Sequence, residues 1–151
     1  MARPRAFDVP AAITAAGEVF ARLGYSATSI DDLVNALGLH RGSLYQAFGS
    51  KRGLFLAALH QAVHDELPQA GANVAAHPDT CAKELIEGPA LDLLLVGALE
   101  LAPSDAEIRD LVATACTDLD QHFTPRDGPP AAELLGRRLL RRAQLDSFVP
   151  H

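Results

Sequence analysis

Cysteine is scarce in this chain. Cys81 and Cys116 lie 35 positions apart and match no CxxC-type metal or redox spacing. Long apolar runs are missing too: the most apolar stretch, ALDLLLVGALELA, is interrupted by Asp92 and Glu100 and falls short of the ~20 residues a membrane span requires. The opening MARPRAFDVP holds two arginines with no apolar run behind them, so it does not read as a signal peptide. Strand-like alternation is nearly absent, and there is no internal repeat and no low-complexity tract. Nor is there a nucleophile–base–acid arrangement, a glycine-rich phosphate loop or a metalloprotease motif, so catalysis finds no support. These absences set the expectation of a soluble, reduced, cytoplasmic protein with no membrane association, cofactor or metal.

What is present is apolar and helical. Hydrophobic residues make up 48% of the 151 positions, enough to fill the core of one domain or of a small domain attached to a second. Charge is unevenly spread. The chain carries a net −6, yet residues 1–55 hold six Lys/Arg against four acids, while the remainder holds seven against fifteen. Only the first part could approach a polyanion without strong repulsion.

Periodicity places the elements. Val9, Ile13, Ala16 and Phe20 share one face of a first helix, with Asp8 as N-cap, Pro10 in the first turn and Gly24 as its end. Thr28, with Asp31 three residues on, predicts the cap of a second helix whose stripe is Ile30, Leu33, Val34 and Leu37. Gly38 suits the left-handed turn after it. A two-turn helix from Arg41 to Phe48 points Leu44 and Phe48 inward, with Leu39 anchoring the turn. Ser50 caps a fourth helix with Phe55, Leu59, Val63 and Leu67 inside, ending at Pro68.

Residues 69–80 read as a connection and 81–87 as a short helix stopping at a Gly-Pro pair. ALDLLLVGALEL, apolar nearly all round, predicts a helix buried among others. SDAE, residues 104–107, predicts the capping box of a helix to about Phe123 with Ile108, Leu111, Val112, Ala115 and Leu119 inside. TPRDGPP breaks it before a basic last helix, residues 131 to about 144, containing GRRLLRR.

Helix, glycine turn and short second helix form a helix-turn-helix, whose second helix enters the major groove N-terminus first. His40, Arg41, Gly42, Ser43 and Gln46 are the candidate base contacts. Arg suits guanine O6/N7, Gln suits adenine, Ser or His donates to purine edges, and Gly42 allows close backbone approach. Thr28, Tyr45 and Lys51 are the candidate phosphate contacts, Lys51 beside the N-terminal amides of the fourth helix. The alternative is a small helical bundle with a solvated polar face, since helix-turn-helix spacing by itself is a weak signal.

A resemblance favours the first reading. FARLGYSATSIDDLVNALGLHRGSLYQAFGSKRGLFLAAL resembles the DNA-binding domain of TetR/AcrR-family transcriptional regulators. The features that match are Phe20, Gly24, Tyr25 and Thr28; Ile30, Leu33, Ala36 and Gly38; Gly42, Ser43, Leu44, Tyr45 and Phe48; and Lys51, Leu54 and Phe55. More weakly, LLLVGALELAPSDAEIRDLV resembles the central helix and its successor in one branch of the family's C-terminal domains.

The resemblance implies an all-α protein. An N-terminal three-helix helix-turn-helix DNA-binding domain, residues 1–50, would be joined by a long helix to a helical effector-binding and dimerisation domain, residues 51–151. It implies a homodimeric regulator, usually a repressor, that binds an inverted-repeat operator in double-stranded DNA and answers to a small-molecule effector. A shift of the fourth helix on ligand binding would change the spacing of the two recognition helices. Family members run on past the point where this chain ends in QLDSFVPH, with two further long helices in the dimer interface. Either the last helix takes over pairing here, or this is a shortened or truncated member. The rival function is a helical small-molecule-binding or interaction module without operator binding.

Weaker signals remain. His64, Asp92, Leu95, Leu99 and Cys116 are the candidate effector pocket. A carboxylate on so apolar a helix needs a partner, a cavity or solvent, and for Asp92 and Glu100 a salt bridge to Arg109 or the RRLLRR helix is the favoured alternative to a cationic ligand. His60 and His64 stand four apart, a metal-binding spacing, but no third ligand completes a set locally; Cys81, Cys116 or His122 would have to fold close. Cys116 reads as a small core residue, and a redox pair with Cys81 has no support.

Overall fold

The computed structural model describes residues 7–70, 88–122 and 131–144. Among the described residues every regular element is helical: α1 Val9–Leu23, α2 Ile30–Leu37, α3 Arg41–Phe48, α4 Lys51–Gln61, α5 Pro89–Val96, α6 Ala106–His122 and α7 Ala131–Arg142. Two of these run on through wide π turns. Ala62–Glu66 extends α4, and Gly97–Leu101 extends α5, where the Ala102 N–H donates to the Gly97 carbonyl five residues back.

Local chemistry explains the boundaries. The Asp8 carboxylate accepts from the Ala11 amide at the start of α1, and Gly24 ends that helix with φ +87°. The cap of α2 sits one residue later than the sequence pattern predicts. Ser29 accepts from the Asp32 amide, while Asp32 accepts from the Ser29 amide and hydroxyl, a reciprocal capping box. The same one-residue shift recurs at α6, where Asp105 rather than Ser104 accepts from the Ile108 amide. In both places two polar residues stand side by side, and spacing does not say which one caps.

Gly38 takes the left-handed conformation at φ +63° after α2. The fourth helix does not stop at Pro68 but continues through residue 70. Proline has no N–H for an i−4 bond, and the π turn directly before it already departs from that bonding pattern. The connection from residue 71, the expected helix 81–87 and the TPRDGPP loop lie outside the described residues.

One core runs through the molecule. Ala16, Phe20, Leu33, Leu44, Leu54 and Phe55 from the first four helices join Leu59, Val63, Leu91, Leu94, Ile108 and Leu119 without a break. Phe20, Tyr25 and Phe55 meet ring to ring at 5.2–5.9 Å. The predicted stripes of α4 and α6 are all buried. In α1, Ala16 and Phe20 are buried and Ile13 half-buried, while Val9, in the first turn before the helix reaches the core, is exposed. α1 packs against both α4 and α5, with Gly17 facing Ala58 and Leu93.

Candidate nucleic-acid interface

The helix-turn-helix is built by α2 and α3. α3 is held by Leu44, its one fully buried residue, and by Phe48, which meets Phe7. Its seat on α4 is tight, because a Cβ on Gly53 would overlap the Phe48 carbonyl oxygen. The outward face of α3 carries His40, Arg41, Gly42, Tyr45 and Gln46, all exposed, with Ser43 half-buried between them. Tyr45 is 42% exposed although it is one of the largest side chains in the chain. His40 occupies the N-cap position without capping through its side chain. The first amides of α3 therefore lack a side-chain acceptor at the helix end that attracts anions. Arg41 pairs with Asp31 of α2 at 2.5 Å, which raises the guanidinium pKa through hydrogen bond and charge. The five candidate base contacts thus share one accessible surface.

Two of the three candidate phosphate contacts are placed otherwise. Thr28 is buried, and its hydroxyl donates inward to the Gly24 carbonyl at 2.5 Å. Lys51 turns to the α1–α2 turn: its ammonium donates to the carbonyls of Tyr25 and Thr28, each at 2.9 Å, and lies 4.3 Å from the centre of the Tyr25 ring. Both side chains bond to backbone carbonyls of the turn that launches α2. Of the three, Tyr45 keeps a free outward path.

The same turn receives side chains from the C-terminal half, which the sequence pattern did not reveal. Glu100, in the π turn after α5, accepts from the Tyr25 amide at 3.1 Å and the Ser26 amide at 2.7 Å. Burial pushes its carboxyl up, but those amides and the Arg142 charge outweigh burial and hold it below the ordinary carboxylate range. Gly24 suits the point of approach because its φ of +87° is one that L side chains rarely adopt, and a Cβ there would also push against the Glu100 carboxylate. Arg142 of α7 donates to the Ala21 and Arg22 carbonyls at the end of α1. Beside these, Arg52 makes a two-pronged bond to Asp105 at 2.6 and 3.1 Å and a further one to Glu107 at 2.7 Å, tying the start of α4 to the start of α6.

The candidate effector pocket does not assemble. Leu99 is 59% exposed and His64 is exposed, whereas Leu95 is buried in the core. Asp92 binds Arg138 of α7 through both oxygens, with Arg142 at 3.4 Å, so the salt bridge to the basic helix is the arrangement found. Glu100 takes backbone amides instead of a cation, and Arg109 donates to the Ala102 carbonyl. Cys116 is half-buried, and burial raises its pKa; Cys81 lies outside the described residues. His60 and His64 stack at 5.5 Å, and among the described residues no group of three His, Cys, Asp or Glu could hold a metal. Likewise no described helix is long and apolar enough to cross a membrane.

Comparison with known proteins places this geometry. Residues 12–58 match the family model of the bacterial regulatory proteins of the tetR family. Over 147 residues, 97% of the chain, the sequence is 29% identical to the HTH-type transcriptional repressor ComR of Escherichia coli K12, covering 66% of that protein. Shorter matches are 46% identical over 59 residues to YezE of Bacillus subtilis 168, an uncharacterised HTH-type transcriptional regulator, and 44% identical over 64 residues to the repressor BdcR of E. coli K12. They cover 39% and 42% of this chain and 30% and 32% of those proteins. The chain thus spans between about a third and two thirds of the length of these relatives. Among solved structures it is similar to a cysteine-substituted form of the TetR family transcriptional regulator CifR in complex with 26-bp double-strand operator DNA. The TM-score is 0.68 and the identity 26%, covering 98% of this chain and 96% of that one.

Proposed function

We propose that this chain, whose residues 12–58 are a TetR-family DNA-binding domain, is a sequence-specific transcriptional regulator: a ligand-responsive repressor that acts as a homodimer on an inverted repeat in double-stranded DNA. Residues 1–50 read the DNA, and residues 51–151 answer to a small-molecule effector and pair the protomers. The observation that carries this reading is the outward face of α3, where His40, Arg41, Gly42, Tyr45 and Gln46 stand exposed together beside an N-terminus that no side chain caps. An operator-bound relative with the same fold supports it. In the reading, Arg41 leaves Asp31 for a guanine edge, Gln46 meets an adenine, and Tyr45 holds a phosphate.

The test is selection of bound duplexes from a randomised DNA pool at near-physiological salt, with Tyr45→Ala/Gln46→Ala protein as control. An inverted repeat supports a paired regulator, a lone half-site supports reading without pairing, and recovery no better than the control overturns the proposal. With the selected duplex in hand, Arg41→Ala is expected to relax preference at one base pair by about ten- to a hundredfold. Tyr45→Phe should weaken all sequences alike. Unchanged preference in Arg41→Ala would remove Arg41 from the base-reading set.

A further inference from the structure

At the turn between α1 and α2, charged side chains from three other parts of the chain converge on the backbone of the DNA-reading part. At the end of α1, Ala21 and Arg22 present carbonyls to Arg142 of α7. The Tyr25 and Ser26 amides go to Glu100, and the Tyr25 and Thr28 carbonyls go to Lys51 of α4. Groups of both polarities are thus gripped by side chains of opposite charge. The apolar hold on the same region runs through Leu33 and Leu44, fully buried, and through Tyr25, Ile30, Val34, Leu37 and Phe48, half-buried against the core; the polar contacts add direction to it.

Glu100 lies within a π turn. One extra residue rotates the rest of the helix by about 100° relative to an uninterrupted α-helix. Leu99 is left facing solvent while the next side chain meets the turn. An apolar residue in water beside an acid spent on two distant amides, 75 and 74 positions away, is an arrangement with no packing advantage of its own.

We propose that Glu100 is a positioning residue for DNA reading: its carboxylate, through the Tyr25 and Ser26 amides, sets the orientation of α2 and hence of α3. The C-terminal half thereby gains a polar hold on the α1–α2 turn itself, beside the packing of α1 on α5 and the Arg142 bonds to the end of α1. The inference rests on the proposed regulator function for its consequence on DNA, but the mechanical link it describes is independent of that function.

Glu100→Gln and Glu100→Ala test it in the full chain against the selected duplex. Simple electrostatics predicts that deleting an acid strengthens binding to a polyanion. Positioning predicts the opposite sign: about tenfold weaker binding for Glu100→Ala, from the loss of two hydrogen bonds to a charged acceptor. Glu100→Gln should fall in between, because its amide oxygen accepts from one N–H while its NH2 opposes the other. Base preference and the salt dependence of affinity should stay as in the parent, since no base or phosphate contact is lost.

Hydrogen exchange at the Tyr25 and Ser26 amides should accelerate in both variants. Affinity that is unchanged or higher in the folded Gln variant would overturn the inference. If the parent chain selects no DNA, the regulator reading fails by itself and exchange decides the link: faster exchange in α3 of the variants upholds it, and unchanged exchange there overturns it.

Discussion

The helix-turn-helix and the central helix of the C-terminal half are held in place by different physics. α5 buries six of its eight residues, Ala90, Leu91, Leu93, Leu94, Leu95 and Val96. α2 and α3, of equal length, bury one each. Burial is nondirectional and scales with area, so α5 is fixed by being surrounded. The helix-turn-helix leaves its polar face open and packs mostly through half-buried residues such as Ile30, Val34, Leu37 and Phe48; caps and charged side chains from other elements add directional contacts. α5 is therefore held mainly by packing, while α2 and α3 combine a shallower packing with polar contacts.

The strongest test of that contrast is Leu94→Ala. Leu94 is fully buried, so the lost transfer energy and the cavity should together cost about 2–5 kcal/mol, read as a lower denaturation midpoint with a single transition. A cost under about 1 kcal/mol would show that α5 is not held by packing. Next comes Gly53→Ala. Its added methyl collides with the Phe48 carbonyl, and the strain, about 1–3 kcal/mol, should exceed the ~1 kcal/mol that alanine gains over glycine in a helix. Because the collision is with the last residue of α3, DNA affinity per folded molecule should drop as well. A variant more stable than the parent would contradict the close seat of α3 on α4.

Smaller still is Ser29→Ala, which removes one side of the α2 capping box at a cost of about 1 kcal/mol.

Acid gives the mildest perturbation and the sharpest sign. The Ser29 hydroxyl and amide lower the pKa of Asp32. Arg52 first of all, then the Ile108 amide, lowers that of Asp105, and the Ser26 and Tyr25 amides lower that of Glu100 against the opposing effect of burial. A carboxylate with a depressed folded pKa stabilises the fold above its unfolded value of about 4 and loses that contribution as pH falls through the folded value. The unfolding temperature should therefore hold steady from pH 7 to about 5 and decline below about 4. Asp105→Asn should flatten the decline. A melting temperature that rose on acidification would contradict all three assignments.

Much of this protein was legible in its residues one after another. Helix content, the ends of α1, the glycine turn after α2, the span of α3 and the buried stripes of α4 and α6 come from apolar spacing and from capping residues, which are local properties of the chain. So does the set of polar residues facing outward on α3, because a short amphipathic helix can bury only one side. Spacing misplaced two caps by one residue where neighbouring polar side chains compete, and it ended the fourth helix at a proline that a π turn accommodates.

What only the tertiary structure decided is where the charges go. Lys51 and Thr28 turn inward to the α1–α2 turn, Asp92 finds Arg138, and Glu100 finds two backbone amides some 75 positions away. The sequence marked Asp92 and Glu100 as acids in need of partners. It carried no signal for a backbone partner, since every residue other than proline has an amide N–H and only the folded chain leaves particular ones unpaired and within reach.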